Sequence, residues 1–281
     1  MIQKNVLVVG GTGQVGSMVA KQLVDEGLEV TILVRDNPES QAKAVPLIDM
    51  GVRMVLGDLT RPETLSDVAM GMDLIVCTAA ALDNSLTPGY EALLLSAKNA
   101  MVKHILYLSN YPRIEPLLDM FAGKAEIEQL VMNSPVPYTI LRAEPFLGFA
   151  VNYMIKMSLQ YGYPVGIYAK DEDQAKSGSH YWISEVDVAR LCVALLGTPE
   201  AFDEVYLAGG DTPLTFAELV ELYSELNLVE VPTMVYTEAP VGVPQWMYDI
   251  VAQLSQYDSP VPDDLSRFGM VATPLDHMIR N

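Results

Sequence analysis

From Asn5 onward the chain repeats one unit, a short apolar run, a turn, and then a stretch whose apolar residues return every three or four positions. Val6-Leu7-Val8-Val9 reads as a strand, and Val15, Val19, Leu23 and Val24 mark the inward face of a helix that Gly27 ends. Glu29 to Val34 follows as a second strand. Further strands precede Gly57-Asp58-Leu59 and close at Cys77, Asn110 and Arg142, with helices near residues 13–26, 90–101 and 122–133. Strand and helix alternating to Leu141 predict an α/β fold, a doubly wound sheet of six parallel strands with helices on both faces.

Beyond residue 145 the pattern changes, so the chain divides into a core over 1–145 and a smaller C-terminal α+β region over 146–281, interleaved with it. Phe149 to Tyr161 reads as helix, with Phe146, Phe149, Tyr153 and Met157 at three- and four-residue spacing, a stripe that predicts core packing and a pocket wall only by position. Val165–Tyr168 and Tyr181–Ile183 read as short strands. Ser184 with Asp187 caps a helix to Leu196, Glu204–Ala208 is a further strand, and Thr215 with Glu218 is a capping box opening a helix to Leu226. After a helix near Gln245–Leu254, the stretch holding Pro260, Pro262, Asp263 and Asp264 reads as a tail packed on the domain or as a partner-binding extension.

The first turn carries the chemistry. Gly10, Gly13 and Gly16 form G-x-x-G-x-x-G between strand and helix. Side chains there would collide with a pyrophosphate, and the free N–H groups and positive dipole end of the helix attract that anion. Gly10, Thr12, Gly13, Gln14, Val15 and Gly16 are therefore the candidate phosphate cradle of a Rossmann dinucleotide site. Gly-rich turns also serve as plain connections, but here an apolar strand precedes the turn and an amphipathic helix follows.

NAD sites place a carboxylate at the end of the second strand, about 20 residues past the glycines, to bond the ribose 2′-hydroxyl. This chain has Val34-Arg35-Asp36 there. An Arg pairs bidentately with a 2′-phosphate, so NADP is favoured over NAD. The competing reading has Arg35 stacking on adenine while Asp36 takes the ribose, and Lys43 is either a second positive charge or a solvated helix residue.

These segments together resemble the atypical branch of the short-chain dehydrogenase/reductases, the NmrA-like and isoflavone-reductase-like proteins. The likeness covers roughly residues 1–225 and also rests on Gly57-Asp58-Leu59, Cys77-Thr78-Ala79-Ala80-Ala81, Leu106-Tyr107-Leu108-Ser109-Asn110 and Pro137-Tyr138-Thr139-Ile140-Leu141-Arg142. The resemblance implies that Asp58 and Leu59 flank the adenine and that Ala79 and Ala80 line the cofactor near the ribose. Without it, Asp58 is a turn residue and the alanines are packing residues.

The superfamily's acid is a Tyr four residues before a Lys, with a Ser holding the substrate carbonyl. Lys124 matches the Lys and Ser109 the Ser, whereas Met120 stands at the Tyr position and cannot donate a proton. The resemblance gives Lys124 the nicotinamide ribose and a role in proton transfer; Tyr111 is a weaker candidate acid, and Ser109 also reads as the end of its strand. Arg142-Ala143-Glu144-Pro145-Phe146 departs from the relatives' Arg-Pro-x-x-Phe at Ala143. Pro145 and Phe146 would face the nicotinamide, and Arg142 reads as an anchoring ion pair.

Composition narrows the classes. With 281 residues, half of them hydrophobic, the chain can bury a large core. No apolar run reaches the ~20 residues of a membrane span, and a strand by residue 5 predicts no signal peptide, so a soluble cytoplasmic protein is expected. A formal charge of −19 opposes direct contact with nucleic acid or anionic lipid. Cys77 and Cys192 read as core residues, and His104, His180 and His277 lack metal-ligand spacing, so no metal is expected.

Two function classes follow. One is an NADPH-dependent reductase passing hydride to a flat apolar acceptor, a quinone or enone, with water or Lys124 supplying the proton. The other is a non-catalytic NmrA-like NADPH sensor or protein-assembly factor, working through a protein partner. The missing Tyr favours the second, the intact Lys124 the first, and the reductase is the reading taken forward.

Overall fold

The computed structural model of the chain describes residues 4–81, 83–110, 119–169, 177–239, 245–256, 258–263 and 265–280. Six strands, β1 (Asn5–Val9), β2 (Glu29–Val34), β3 (Arg53–Leu56), β4 (Leu74–Cys77), β5 (His104–Asn110) and β6 (Tyr138–Ala143), lie parallel as the alternation predicts. A seventh, β8 (Glu204–Ala208), pairs parallel with β6 from Thr139↔Glu204 to Ala143↔Ala208. The order β3-β2-β1-β4-β5-β6-β8 reverses direction between β1 and β4, which opens a crevice at the carboxyl ends of those two strands.

Each face of the sheet is buried by helices. On one face Val6 and Val8 meet Val15, Val19 and Leu23 of α1 (Gln14–Asp25) and Val188, Cys192 and Leu195 of α6 (Glu185–Leu195). On the other, Leu7, Val9 and Ile75 meet Tyr90 and Leu93 of α3 (Thr87–Asn99) and Ile127 and Val131 of α4 (Asp119–Met132). Strands covered on both sides need apolar residues at successive positions, hence the continuous runs in β1 and β4. α1 stops where Gly27 takes φ +78°, with Gly27 N–H donating to Val24 O and Leu28 N–H to Leu23 O, a Schellman ending. Asn37 Oδ1 caps α2 (Pro38–Ile48) by accepting from Ser40 N–H.

The C-terminal half builds a further core. A π-helix (Phe149–Lys156) runs into α5 (Met157–Tyr161), β7 (Val165–Tyr168) pairs parallel with β9 (Thr233–Tyr236), and α7 (Phe216–Asn227) opens on the expected Thr215–Glu218 capping box. Ser184 Oγ likewise accepts from Asp187 N–H at the head of α6. α8 (Gln245–Leu254) matches its predicted span, and the tail after it packs on both halves. Leu265 and Met270 join the sheet core, while Leu275 and Ile279 of α9 (Leu275–Ile279) join Leu219, Val220 and Tyr223 of α7. No helix among the described residues is long and apolar enough to cross a membrane.

Two expectations are corrected. Tyr181–Ile183 forms no strand, because this stretch pairs with other segments only at single bridges, Ile183 with Phe146 and the flanking His180 with Leu214. Of the aromatic stripe only Phe146 packs on the core; Tyr153 is 64% exposed, with Phe149 and Met157 also exposed, and the inward positions after Phe146 include Ala150, Val151 and Ile155. The inward row still recurs at three- and four-residue spacing, at Leu147, Ala150, Val151 and Ile155, so Phe149, Tyr153 and Met157 share one face of the helix and it is the outward one. Tyr111, the Met120 side chain and Asp264 lie outside the described residues.

Candidate functional site

The glycine turn sits at the switch point. Gly10, with φ +87°, leaves β1, and its carbonyl accepts from Gly13 N–H at 2.9 Å. Gly13 is the N-cap of α1 and no side-chain hydrogen bond closes that end, so the first-turn N–H groups face out of the sheet edge. A Cβ at Gly10 would lie 2.6 Å from Ala79 N, and one at Gly16 would overlap Gly10 O and lie 2.6 Å from Thr78 Oγ1. At Gly13 the nearest atom would be Gly10 O at 3.2 Å, so bareness there serves the space in front of the helix rather than packing behind it. These are the features a pyrophosphate needs, and the turn fits one. The side chain of Val15 is in the core and that of Gln14 donates to Glu185 Oε1 at 3.0 Å, so both residues offer a ligand chiefly their backbone. Thr12 is half-buried beside them.

Thr78 was not singled out by sequence. Its N–H and Oγ1 both donate to Val9 O, at 2.8 and 3.1 Å, which wedges the hydroxyl between Gly10 and Gly16. The signal available was its place, the first residue past the strand on the far side of the switch point.

Arg35 is exposed as the first residue past β2. Lys43 ion-pairs with Glu39 at 2.7 Å, and chiefly through that bond it holds the Glu39 carboxyl below the usual range, so Lys43 reads as a solvated helix residue. Asp58 Oδ1 accepts from Thr60 N–H and Oγ1, at 2.9 and 2.8 Å, which makes it the turn residue of the local reading. The Leu59 side chain is core, Ala79 is half-buried with its carbonyl accepting from Tyr90 Oη at 2.9 Å, and Ala80 is exposed. All stand at the carboxyl edge of the sheet.

Further along that edge, buried Ser109 of β5 pairs in register with Arg142 of β6. Arg142 grips Glu128 through Nη2 at 2.6 Å and Nε at 3.1 Å, the anchoring ion pair expected of it. Lys124, one turn before Glu128 on α4, is half-buried with Nζ 3.4 Å from Leu108 O. Burial lowers its pKa from 10.5 to about 8, against the pull of Glu128.

The loop after β6 is held at both ends. Glu144 is buried, and its Oε2 accepts from Ser259 Oγ at 2.8 Å. The same hydroxyl lies 2.8 Å from His180 Nδ1, while His180 Nε2 faces Leu254 O at 2.8 Å. A carbonyl only accepts, so Nε2 carries a hydrogen, and serine and carboxylate both meet the Nδ1 side. A hydrolytic triad needs them on opposite nitrogens, so this cluster fastens the tail to the loop instead. Pro145 O accepts from Ile183 N–H at 3.2 Å, Phe146 packs on the sheet core, and Gly148 N–H donates to Glu185 Oε2 at 3.2 Å. Neither cluster is visible locally, since its members lie far apart in sequence.

The NmrA-like family matches residues 2–265. The chain belongs to the NmrA-like family. This NmrA-like chain is 26% identical to the Citrobacter sp. triphenylmethane reductase, whose structure was solved with NADP(H); the TM-score is 0.82, over 98% of this chain and 99% of that one. It is 28% identical to photosystem II assembly factor Ycf39 of Trieres chinensis, over 79% of this chain and 69% of that protein. It is also 29% identical to an NAD(P)H azoreductase of Xenophilus azovorans, over 78% and 72%. Reductases and assembly factors thus share this architecture, the atypical short-chain dehydrogenase/reductase fold.

Proposed function

We propose that the chain binds NADPH along the carboxyl edge of its sheet and reduces a flat apolar acceptor such as a quinone or enone. One observation carries this reading: an exposed Arg at the end of β2, a glycine cradle at the end of β1 and a half-buried Lys against β5 follow one another along that edge. Gly10, Gly13 and Gly16 with the N–H groups of α1 take the pyrophosphate, and Arg35 pairs with the 2′-phosphate. Asp58 and Leu59 border the adenine, and Ala79 and Ala80 line the cofactor near the ribose. Ser109, Pro145 and Phe146 border the nicotinamide half. Lys124 Nζ holds the nicotinamide ribose and, with its pKa lowered to about 8, releases and regains a proton close to neutral pH. NADPH, when bound, supplies the hydride; with one proton from Lys124 or water, the acceptor is fully accounted for.

A second reading, a non-catalytic NADPH-binding sensor or assembly factor, is favoured by Met120 at the usual Tyr position and by the likeness to assembly factors. Fluorescence titration with NADPH and with NADH, then addition of quinones and enones, separates the two. The reductase predicts tighter NADPH binding and acceptor-dependent decay of the reduced cofactor, with Arg35→Ala losing NADPH affinity far more than NADH affinity. Tight binding without decay over the panel would establish the second reading, and no binding would overturn both.

A further inference from the structure

Glu185 opens α6 and is only 6% exposed. An acid in a helix's first turn complements the dipole, and that alone would explain the residue type. Its partners call for more. Oε1 accepts from Nε2 of Gln14, the first residue of α1, and Oε2 accepts from Gly148 N–H in the loop beyond β6. A Cβ at Gly148 would overlap Oε1 and lie 2.6 Å from Oε2, so the carboxylate approaches that backbone as closely as a glycine allows. One buried carboxylate therefore joins the phosphate turn to the far end of the loop whose near end is fixed by Glu144.

In a doubly wound sheet a dinucleotide lies across the carboxyl edge, its pyrophosphate at the first helix and its nucleosides on either side of the switch point. With Arg35 past β2 on one side, the other half extends over β4 and β5 toward residues 144–148. The two groups tied by Glu185 thus border the middle and one end of a single ligand. We infer that Glu185 is a positioning residue for the bound cofactor: through Gln14 and Gly148 it sets the spacing between the phosphate turn and the nicotinamide-side loop before the ligand arrives. The inference rests on the NADPH reading above. Attraction is not the role, since a negative charge beside a pyrophosphate opposes binding.

Geometry and charge separate in two variants. In Glu185→Gln the amide oxygen still accepts from Gly148 N–H, and the Gln14 amide, turned over, offers its oxygen to the new NH2 group. Glu185→Ala breaks both links. Dissociation constants are measured by calorimetry for NADPH and for 2′-phospho-ADP-ribose, which has the phosphates but no nicotinamide. Their ratio is the gain from the nicotinamide half, and loss of a preorganised loop lowers that gain. The expected result is a ratio reduced about five- to tenfold in Glu185→Ala and kept within about twofold in Glu185→Gln. If the alanine variant does not fold, Gln14→Ala, which removes one end of the tie, is expected to move the ratio the same way. Equal weakening of both ligands, or an unchanged ratio, would overturn the inference while leaving the NADPH reading intact. A wild-type protein that binds neither ligand would sink the NADPH reading, and this one with it.

Discussion

Replacing Lys124 with Met is expected to make the protein more stable. The side chain is half-buried on α4, Nζ meets Leu108 O at only 3.4 Å, and Glu128 already has the Arg142 fork. Burial lowers the ammonium's pKa to about 8 from an ordinary 10.5. At about 1.4 kcal/mol per pH unit, that difference corresponds to roughly 3 kcal/mol of penalty on the charged form. A flexible lysine recovers part of it by leaning toward solvent, so the expected gain at pH 7 is about 2 kcal/mol, or about 4–8 °C in Tm. Between pH 8 and 10.5 the unfolded chain keeps the Lys124 proton that the folded chain has lost, so wild-type stability rises with pH over that window. The advantage of Met is therefore full below pH 8 and gone above 10.5. Urea unfolding of both cofactor-free proteins from pH 7 to 10.5 measures it. A stability difference that stays flat over this range, or a variant less stable at pH 7, would refute the argument that burial strains this lysine.

The glycine turn and a buried histidine give two more predictions. Gly16→Ala gains about 1 kcal/mol in helix propensity yet places its Cβ against Gly10 O and Thr78 Oγ1, so a net loss of about 2 kcal/mol is expected in urea unfolding, whereas Gly13→Ala, at the N-cap with its Cβ 3.2 Å from Gly10 O, should cost less, about 1 kcal/mol, and weaken NADPH binding as well. His104 is buried, with Nδ1 accepting from Gly197 N–H at 3.0 Å and Nε2 2.9 Å from Thr139 Oγ1, and burial lowers its pKa from 6.5 to about 4. The unfolded chain binds the extra proton first, so about 3 kcal/mol is lost as pH falls from 6.5 to 4. His104→Gln, which can make both bonds without titrating, should flatten that acid arm in a pH series of thermal unfolding; an unchanged arm would show that other groups cause it.

What was legible in the sequence was what neighbouring residues decide. The strand-turn-helix around Gly10 to Gly16, the Ser184 and Thr215 caps and the apolar runs of β1 to β6 each depend on residues within one or two turns of one another, and each matched the structure. From Phe149 to Met157 the helical period holds but does not tell the face, because Leu147, Ala150, Val151 and Ile155 repeat as regularly as the aromatics and only packing against the C-terminal core decides which row turns inward. Gln14 shows the other limit. Its position in the turn was legible, but its bond to Glu185 joins residues 171 apart, and no local pattern reports such a contact. Thr78 needed only the strand order to be noticed.

The pairing of β8 with β6 has a consequence for how the protein is made. Tyr138 and Asp203, at the start of that pairing, are 65 residues apart, and at about 5–20 residues per second a ribosome takes roughly 3–13 s to bridge them. Throughout that interval the nascent sheet exposes the open edge of β6, whose residues Thr139, Ile140 and Leu141 are buried in the finished protein. An unpaired apolar strand held open for seconds is a template for pairing with another chain. A stalled or truncated product ending before residue 204 would keep that edge indefinitely, so aggregation during synthesis, rather than instability of the completed molecule, is the hazard this topology carries.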